Sequence, residues 1–229
     1  NQATVSGSSS ASNLSNNRKL RSYVNSNNAT CILSYYASNL TSYSVSNNTL
    51  VQQWTTKIDN TANNVFINDI AVSLDNSFIY AVISYTTGTL TTTHHTALYM
   101  ATSFLSGTPT FVLVPGITFI PQQSIRIEVS GLYAAIVNST SNSMTSAGTL
   151  SVYNISNPSN PSDMTVVNTT SPVDIAFYNA RTLIVVDPSQ GLLKYYLSNA
   201  TNATNATEVT LISQLSQTNV TSIDISGGN

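Results

Sequence analysis

The sequence carries LTSYSVS at 40–46, LSVYNIS at 150–156 and GLLKYYLS at 191–198, three stretches that share the order Leu-x-x-Tyr-x-apolar-Ser. A weaker fourth copy, ALYMATS at 97–103, has Ala101 in the place of the tyrosine. The copies are 58, 52 and 42 residues apart when they are counted from Leu40, Leu98, Leu150 and Leu192. Spacings of this length are typical of four-stranded units joined by loops of unequal length.

Further apolar runs surround each copy in a constant order, and they have the length and the β-branched or aromatic content of strands. Second strands are predicted at 31–36, 78–84, 132–137 and 182–187. First strands are predicted at 68–73, 126–131 and 173–178, and fourth strands at 50–58, 110–116, 164–170 and 208–213. Each unit is therefore predicted to be a four-stranded antiparallel meander.

The unit that contains Leu40 offers only KLRSYV at 19–24 as a first strand, whereas TSIDIS at 221–226 closely resembles the other first strands. This arrangement is typical of a β-propeller whose terminal segment completes the first blade, because pairing the chain ends hides the sheet edges. We therefore predict an all-β propeller of about four blades over 30–229, preceded by a Ser/Asn-rich segment or linker at 1–29. The C-terminal strand would complete the first blade in cis or in trans. A two-sheet β-sandwich built from the same strands is the alternative.

Two segments of the chain resemble a known repeat. RIEVSGLYAAIVN at 126–138, followed by VYNISNPSNPSDM at 152–164, is similar to the LVIVD-type repeat of extracellular β-propeller proteins, with Asn154 in the place of that pattern's Asp. TLIVVDPSQGLLKYYLS at 182–198 resembles the same repeat in part. The resemblance implies a propeller fold but no particular activity, because proteins with such repeats share little biochemistry.

The composition excludes two classes of partner. Charged residues make up 7% of the chain, against about 25% in ordinary soluble proteins, and the net charge is −2. The polar residues are instead mostly hydroxyls and amides, with 35 Ser, 31 Thr and 27 Asn among 229 residues. Seven Lys and Arg cannot neutralise a row of phosphates or hold the chain to an anionic membrane, so we expect no nucleic-acid or membrane-surface binding. No apolar run is long enough to predict a membrane span.

Eleven Asn-x-Ser/Thr triplets mark candidate N-glycosylation sites. Because the chain is rich in these residue types, the placement of the triplets carries more weight than their number. Most fall at predicted strand ends or in turns, and NATNATNAT at 199–207 lies between the third and fourth strands of the last unit. Glycans would also supply the solubility that the few charges do not. We expect covalent N-glycans, and no other cofactor, on Asn13, Asn28, Asn39, Asn47, Asn138, Asn154, Asn168, Asn199, Asn202, Asn205 and Asn219.

Signatures of catalysis are scarce. His94 and His95 are adjacent in TLTTTHHTAL at 89–98, where neighbouring side chains of an extended backbone point to opposite faces and do not readily share a metal ion. We interpret them as exposed loop histidines. No G-x-S-x-G motif is present, and no further His accompanies the few acids, so we predict no catalytic residues, no metal site and no enzymatic activity.

Repeated acids form a separate candidate site. Asp69, Asp174 and Asp224 occupy the same place in the first strands, and Arg126 takes that place in the third unit. Because the first strands of a propeller line its central channel, these side chains are candidates for a cation or small-ligand site. The interpretation that we favour is that they join neighbouring blades through hydrogen bonds and an Asp–Arg pair.

Aromatic residues and the single cysteine suggest packing. Tyr43, Tyr153 and Tyr195 repeat at one structural position, which favours burial between blades over carbohydrate stacking. Trp54 lies in a predicted outer strand and fits either a core or an interface. Cys31 excludes an intrachain disulfide and a four-Cys zinc site, and we expect it to be buried.

Two classes of function fit these observations. The first is an N-glycosylated structural glycoprotein of the cell surface, a subunit of an assembly or filament that binds further copies of itself or another surface protein. The second is a monomeric secreted propeller that presents the loops at 85–96 and 139–148 to a glycan or protein. An enzyme with a metal in the channel is a distant third. The chain begins with Asn1 and not Met, as expected after removal of a signal peptide or for a portion of a longer precursor.

Overall fold

The structure is a computed structural model that describes residues 20–46, 49–58, 63–87, 93–115, 117, 124–139, 147–158, 160–198, 209–216 and 220–225. These residues form sixteen β-strands in four four-stranded sheets and no helix, which confirms the all-β prediction. No helix that would suit a membrane crossing therefore occurs in this part of the chain.

Each sheet is built from four strands that follow one another along the chain. The first sheet consists of β1 Arg21–Val24, β2 Thr30–Tyr36, β3 Asn39–Ser46 and β4 Thr49–Lys57. The second consists of β5 Asn63–Val72, β6 Ile79–Thr87, β7 Thr93–Ala101 and β8 Phe111–Leu113. The third consists of β9 Ser124–Ser130, β10 Tyr133–Ser139, β11 Gly148–Asn154 and β12 Ser162–Thr169. The fourth consists of β13 Asp174–Asn179, β14 Thr182–Asp187, β15 Gly191–Leu197 and β16 Val209–Leu215.

All the strand pairs within the sheets are antiparallel, as predicted for meanders. Burial follows the position of a strand in its sheet. All seven residues of β10 are buried, because this middle strand has a neighbouring sheet on each face. In the outer strand β16 only Val209 is half-buried, and the other six residues are exposed.

The four sheets follow one another through their first strands. β1 lies beside β5, β5 beside β9 and β9 beside β13. Three hydrophobic cores fill the spaces between successive sheets, and each uses one face of the earlier sheet and one face of the later sheet. The arrangement is propeller-like, and its four separate sheets differ from the two-sheet sandwich considered above. Among the described strands β13 makes no extended contact with β1.

The first sheet corrects the predicted strand order. Its first strand is Arg21–Val24, which lies within the stretch 1–29 that was predicted to be a Ser/Asn-rich segment or linker. The prediction that residues 221–226 complete this sheet is therefore wrong, because β1 already pairs with β2 along its length. Residues 220–225 belong to no strand, and they contact the fourth sheet through a hydrogen bond from the Ile223 amide to Asp174 Oδ2 (2.9 Å).

A β-bulge recurs at the repeated tyrosine. In three sheets the register between the third and fourth strands shifts immediately before Tyr43, Tyr153 or Tyr195. The extra residue lies on the fourth strand each time. No such shift occurs between β7 and β8 of the second sheet, where Ala101 replaces the tyrosine. Bulges bend a strand and increase its right-handed twist, which is the shape that a propeller blade requires.

Candidate functional site: the first-strand cluster and the two end faces

Arg21 connects three sheets. Its Nε donates a hydrogen bond to the carbonyl of Ile70 (2.8 Å) in the second sheet, and its Nη2 donates one to the carbonyl of Ile127 (3.1 Å) in the third. Nη2 also forms an ion pair with Glu128 Oε1 at 2.8 Å. Burial alone would lower the pKa of Arg21, but the carboxylates of Glu128 and Asp69 raise it overall. The guanidinium is thus held charged where the first strands of the first, second and third sheets meet, a region that we call the first-strand cluster.

Asp69 joins the second sheet to the third. Its Oδ1 accepts a hydrogen bond from the amide of Ile70 (2.9 Å), and its Oδ2 accepts one from the amide of Ile127 (3.1 Å). Burial raises the pKa of the Asp69 carboxyl, while Arg21 and Arg126 lower it. The interpretation that the repeated polar residues join neighbouring sheets is confirmed for Asp69.

Asp174 repeats this pattern in the fourth sheet. Its Oδ1 accepts from the amide of Ile175 (3.0 Å), and its Oδ2 accepts from the amide of Ile223 (2.9 Å). Asp224, the third acid of the candidate channel site, is exposed. The two buried carboxylates therefore bind backbone donors of the protein. Within the described ranges no three His, Cys, Asp or Glu side chains are grouped so that they could hold a metal ion.

Asp187 is a structural residue that the sequence analysis did not single out. Its side chain is fully buried, and its Oδ2 accepts hydrogen bonds from the amides of Thr170 (3.1 Å) and Ser171 (2.9 Å). Its Oδ1 accepts from the amide and hydroxyl of Ser189 (3.0 and 2.6 Å) and from the amide of Gln190 (3.2 Å). The carboxylate therefore fixes the turn after β14 against the loop before β13. Its place at the end of TLIVVD, directly before Pro-Ser, was the signal available in the sequence.

The first sheet has one face that contributes to none of the three cores and is in this sense uncovered. Its opposite face carries Leu33 and Trp54 into the core with the second sheet. On the uncovered face Val24, Val45 and Leu50 are exposed, and Ile32 and Tyr43 are half-buried. We call these five residues the first end face. These five side chains are uncharged, but the exposed Lys57 lies on the same face, opposite Asn39.

The fourth sheet has a corresponding face at the other end of the series, which is exposed in part but is buried at Ala176 and Val186. Tyr178, Tyr196 and Leu215 are exposed there, and Ile184 and Leu192 are half-buried. We call these five residues the fourth end face. Lys194 lies on the same face with its Nζ 5.5 Å from the centre of the Tyr178 ring, a cation–π contact. The segment 220–225 contacts this face through the bond of the Ile223 amide to Asp174.

The predicted packing residues are confirmed in most cases. Tyr153 and Tyr195 are 5% and 3% exposed and lie in the cores between sheets. Trp54, for which the sequence predicted either a core or an interface, lies in the core between the first and second sheets. Cys31 is buried and free. Tyr43 is the exception, since it lies on the first end face and is only half-buried.

Five of the eleven glycosylation candidates lie in the described residues. Asn28, Asn39 and Asn168 are exposed. Asn154 is half-buried, and its Oδ1 accepts a hydrogen bond from the Ser156 amide (2.8 Å). Asn138 is buried, and its Oδ1 accepts a hydrogen bond from the Thr149 hydroxyl (2.6 Å). The remaining candidates lie outside the described residues: Asn13, Asn47, Asn199, Asn202, Asn205 and Asn219.

The histidine pair and the proposed binding loops need correction. His94 and His95 lie in β7, where they pair with Thr86 and Tyr85 of β6, and not in a loop. The pairing of β6 with β7 leaves only 88–92 of the predicted 85–96 loop between strands. That remainder and residues 140–146 of the second loop lie outside the described residues.

Comparisons with known proteins bear on the fold alone. No model of a known protein family matches the sequence, and no curated protein matches it. The structure is similar to a puromycin-hydrolyzing peptidase of Mycobacterium tuberculosis, with a TM-score of 0.53 at 10% identity over 84% of this chain. The chain spans only 30% of that peptidase's length. A functionally unknown protein from Desulfotomaculum acetoxidans matches 89% of the chain and 72% of its own length, with a TM-score of 0.48 at 10% identity.

Proposed function

We propose that the protein is a non-enzymatic, N-glycosylated structural glycoprotein of the cell exterior that self-associates in a surface assembly or filament. The observation that carries the proposal is that both ends of the sheet series are apolar. Proteins built as linear series of repeats stay separate in solution when polar end units cover their cores. Here Val45 at one end and Tyr196 at the other are exposed instead.

The distribution of charge supports the same function. The buried carboxylates of Asp69, Asp174 and Asp187 are occupied by backbone amides, so they contribute to the framework and present no open oxygen ligands. The rest of the polar surface consists mainly of hydroxyl and amide side chains. A surface with so few titrating groups changes little with external pH or salt, which suits a protein exposed outside the cell.

The structure also restricts the glycan proposal. The exposed side chains of Asn28, Asn39 and Asn168 are accessible to a glycosyltransferase, so we propose that these three carry glycans. Asn138 is 5% exposed and hydrogen-bonded, and a bulky glycan on it would require the strand to open. We therefore leave Asn138 out of the proposed set.

Two measurements on natively purified protein test the function. Electron microscopy should show filaments or closed oligomers with a subunit-sized repeat, and a field of separate single subunits at all concentrations would contradict self-association and favour the monomeric binding module. Intact mass before and after enzymatic deglycosylation should differ by several glycans. A mass equal to that of the bare polypeptide would refute the glycoprotein proposal while leaving the assembly proposal to the microscopy.

A further inference from the structure

The repeated leucine shows what covers the face of each sheet that is turned away from the preceding sheet. Leu40, Leu98 and Leu150 are fully buried, and each lies in the core between its own sheet and the following sheet. Leu192 holds the same repeat position in the fourth sheet, but it lies on the fourth end face and is only half-buried. The position of Leu192 is therefore one that a following sheet covers elsewhere in the molecule.

The repeated tyrosine gives the same information for the opposite face of each sheet, which is turned towards the preceding sheet. Tyr153 packs in the core against the second sheet, and Tyr195 packs in the core against the third, so each faces the sheet that precedes its own. Tyr43 holds this position in the first sheet and lies on the first end face. The first end face thus carries a residue that a preceding sheet buries in the other units.

Residues 220–225 mark where an incoming first strand would lie. Asp69 Oδ2 accepts the amide of Ile127 from the first strand of the following sheet, and Asp174 Oδ2 accepts the amide of Ile223 in the same way. The segment around Ile223 therefore lies beside β13 as β9 lies beside β5. It belongs to no strand, so it has no ladder of hydrogen bonds to hold it there.

We propose that the fourth end face binds the first end face of a second copy of this chain, head to tail, and that residues 220–225 compete with the β1 strand of the incoming copy. This inference rests on the proposed self-association and adds which surfaces meet. This interface between two copies, which we call the joint, continues the series of sheet-to-sheet cores within the chain. In it Tyr43 of one copy would face the fourth sheet of the other copy, and Leu192 of that other copy would face the incoming first sheet. Head-to-tail contacts of this kind form a ring if they close and a filament if they do not. Two copies that closed on each other would give a ring of about eight sheets, within the range of known propellers.

Single-face variants of the full-length protein test the joint. Val45→Glu places a charge on the first end face, and Tyr196→Glu places one on the fourth, at positions that are 43% and 39% exposed. The association constant of each variant, measured by sedimentation velocity, should fall at least tenfold because a buried carboxylate would lie in the joint. Val166→Glu is the matched control, since Val166 is an exposed residue of the third sheet that lies on neither end face, and it should associate like the unchanged protein.

Mixing the two variants distinguishes head-to-tail from symmetric association. The Val45→Glu chain keeps an intact fourth end face, and the Tyr196→Glu chain keeps an intact first end face. An equimolar mixture should therefore form a one-to-one dimer that grows no further. If either variant alone still forms dimers as tight as the unchanged protein, or if the mixture stays monomeric, the proposed joint is wrong. If the unchanged protein never associates, the proposed function itself fails.

Ile223→Pro tests the competition. Proline lacks the amide hydrogen that Asp174 accepts, so the segment should leave its place and association should become at least threefold tighter. Ile223→Ala keeps the amide and serves as the control. A several-fold weaker association of the Ile223→Pro variant, or one equal to that of the control, would show that the segment does not compete with the incoming strand.

Discussion

Arg21 and Glu128, in the first and third sheets, form a 2.8 Å ion pair with the first strand of the second sheet lying between their strands. The guanidinium also donates to the carbonyl of Ile70, so one side chain of a four-residue strand is bonded to both of the following sheets. This contact explains why so short a strand is fixed in place.

Replacement of Arg21 should therefore destabilise the whole series of sheets. Arg21→Met removes the ion pair with Glu128, which is 17% exposed, and the hydrogen bonds to the carbonyls of Ile70 and Ile127, so the free energy of unfolding should fall by about 3 kcal/mol. Chemical denaturation measures the loss. Arg181→Met, at an exposed arginine in a turn, is the control and should change stability by less than about 0.5 kcal/mol. Equal losses for the two variants would contradict the role of Arg21.

Gly148 should not tolerate a side chain. A Cβ at this position would overlap the ring of Pro172 and would lie 2.7 Å from the carbonyl oxygen of Asn138. Gly148→Ala should lower the free energy of unfolding by roughly 1–3 kcal/mol, because backbone has to move to relieve the overlap. Gly107→Ala is the matched control, since a Cβ there meets nothing within 4 Å. Thermal unfolding of the two variants decides the matter, and an unchanged midpoint for Gly148→Ala would be the contrary result.

Tyr80 should make the protein sensitive to alkaline pH. Burial, with a smaller effect of the Asp75 charge, raises the pKa of Tyr80 from 10 to about 12. Because the folded state holds this proton more tightly than the unfolded state, the resulting stabilisation is fully present below pH 10 and is lost as the pH rises towards about 12. Tyr80→Phe should therefore lose less stability than the unchanged protein over this interval.

The same substitution should do no harm at neutral pH. The Tyr80 hydroxyl is buried and has no hydrogen-bond partner in the described part of the structure, so its removal should leave the free energy of unfolding equal or up to about 1 kcal/mol higher. Denaturant titrations at pH 7 and pH 11 measure both effects. Tyr178→Phe, at an exposed tyrosine, is the control, and identical pH profiles for Tyr80→Phe and the unchanged protein would refute the assignment.

Replacement of Asp187 by asparagine, the residue closest to it in shape, should destabilise the protein. Asp187→Asn puts an NH₂ group where one carboxylate oxygen now accepts backbone amides, so donors would face donors in a buried site. We expect a loss of about 2–3 kcal/mol in the free energy of unfolding. Asp224→Asn, at an exposed carboxylate, is the control and should change the free energy of unfolding very little. Hydrogen exchange at the Ser171 amide offers a local readout, and unchanged protection there would contradict the prediction.

The repeat made much of the fold predictable. Leu150 and Tyr153 differ by three positions on a strand and so face opposite sides of their sheet, and both are buried because their sheet has a neighbour on each side. A period of alternating apolar residues, copied four times, was enough to predict the order of the strands in the second, third and fourth sheets. Asp69 was found for the same reason, since it recurs at one place in the first strands.

Residues without a repeated counterpart were harder to place. Arg21 lies in a four-residue strand next to a Ser/Asn-rich stretch, and its partners Ile70 and Glu128 are far away in sequence, so no local pattern marks it. His94 and His95 were assigned to the loop between the predicted strand at 78–84 and the repeat copy at 97–103, whereas their strand is set by pairing with β6. Long-range pairing decided both cases.

The bulge before the repeated tyrosine has a consequence for how such a chain grows. Because an extra residue in the fourth strand bends three of the four sheets at the same place, each of these three units carries the cause of its bend within its own sequence. A segment with that property is modular. Gene duplication can add or remove whole units, and each new unit arrives already shaped to pack against the last.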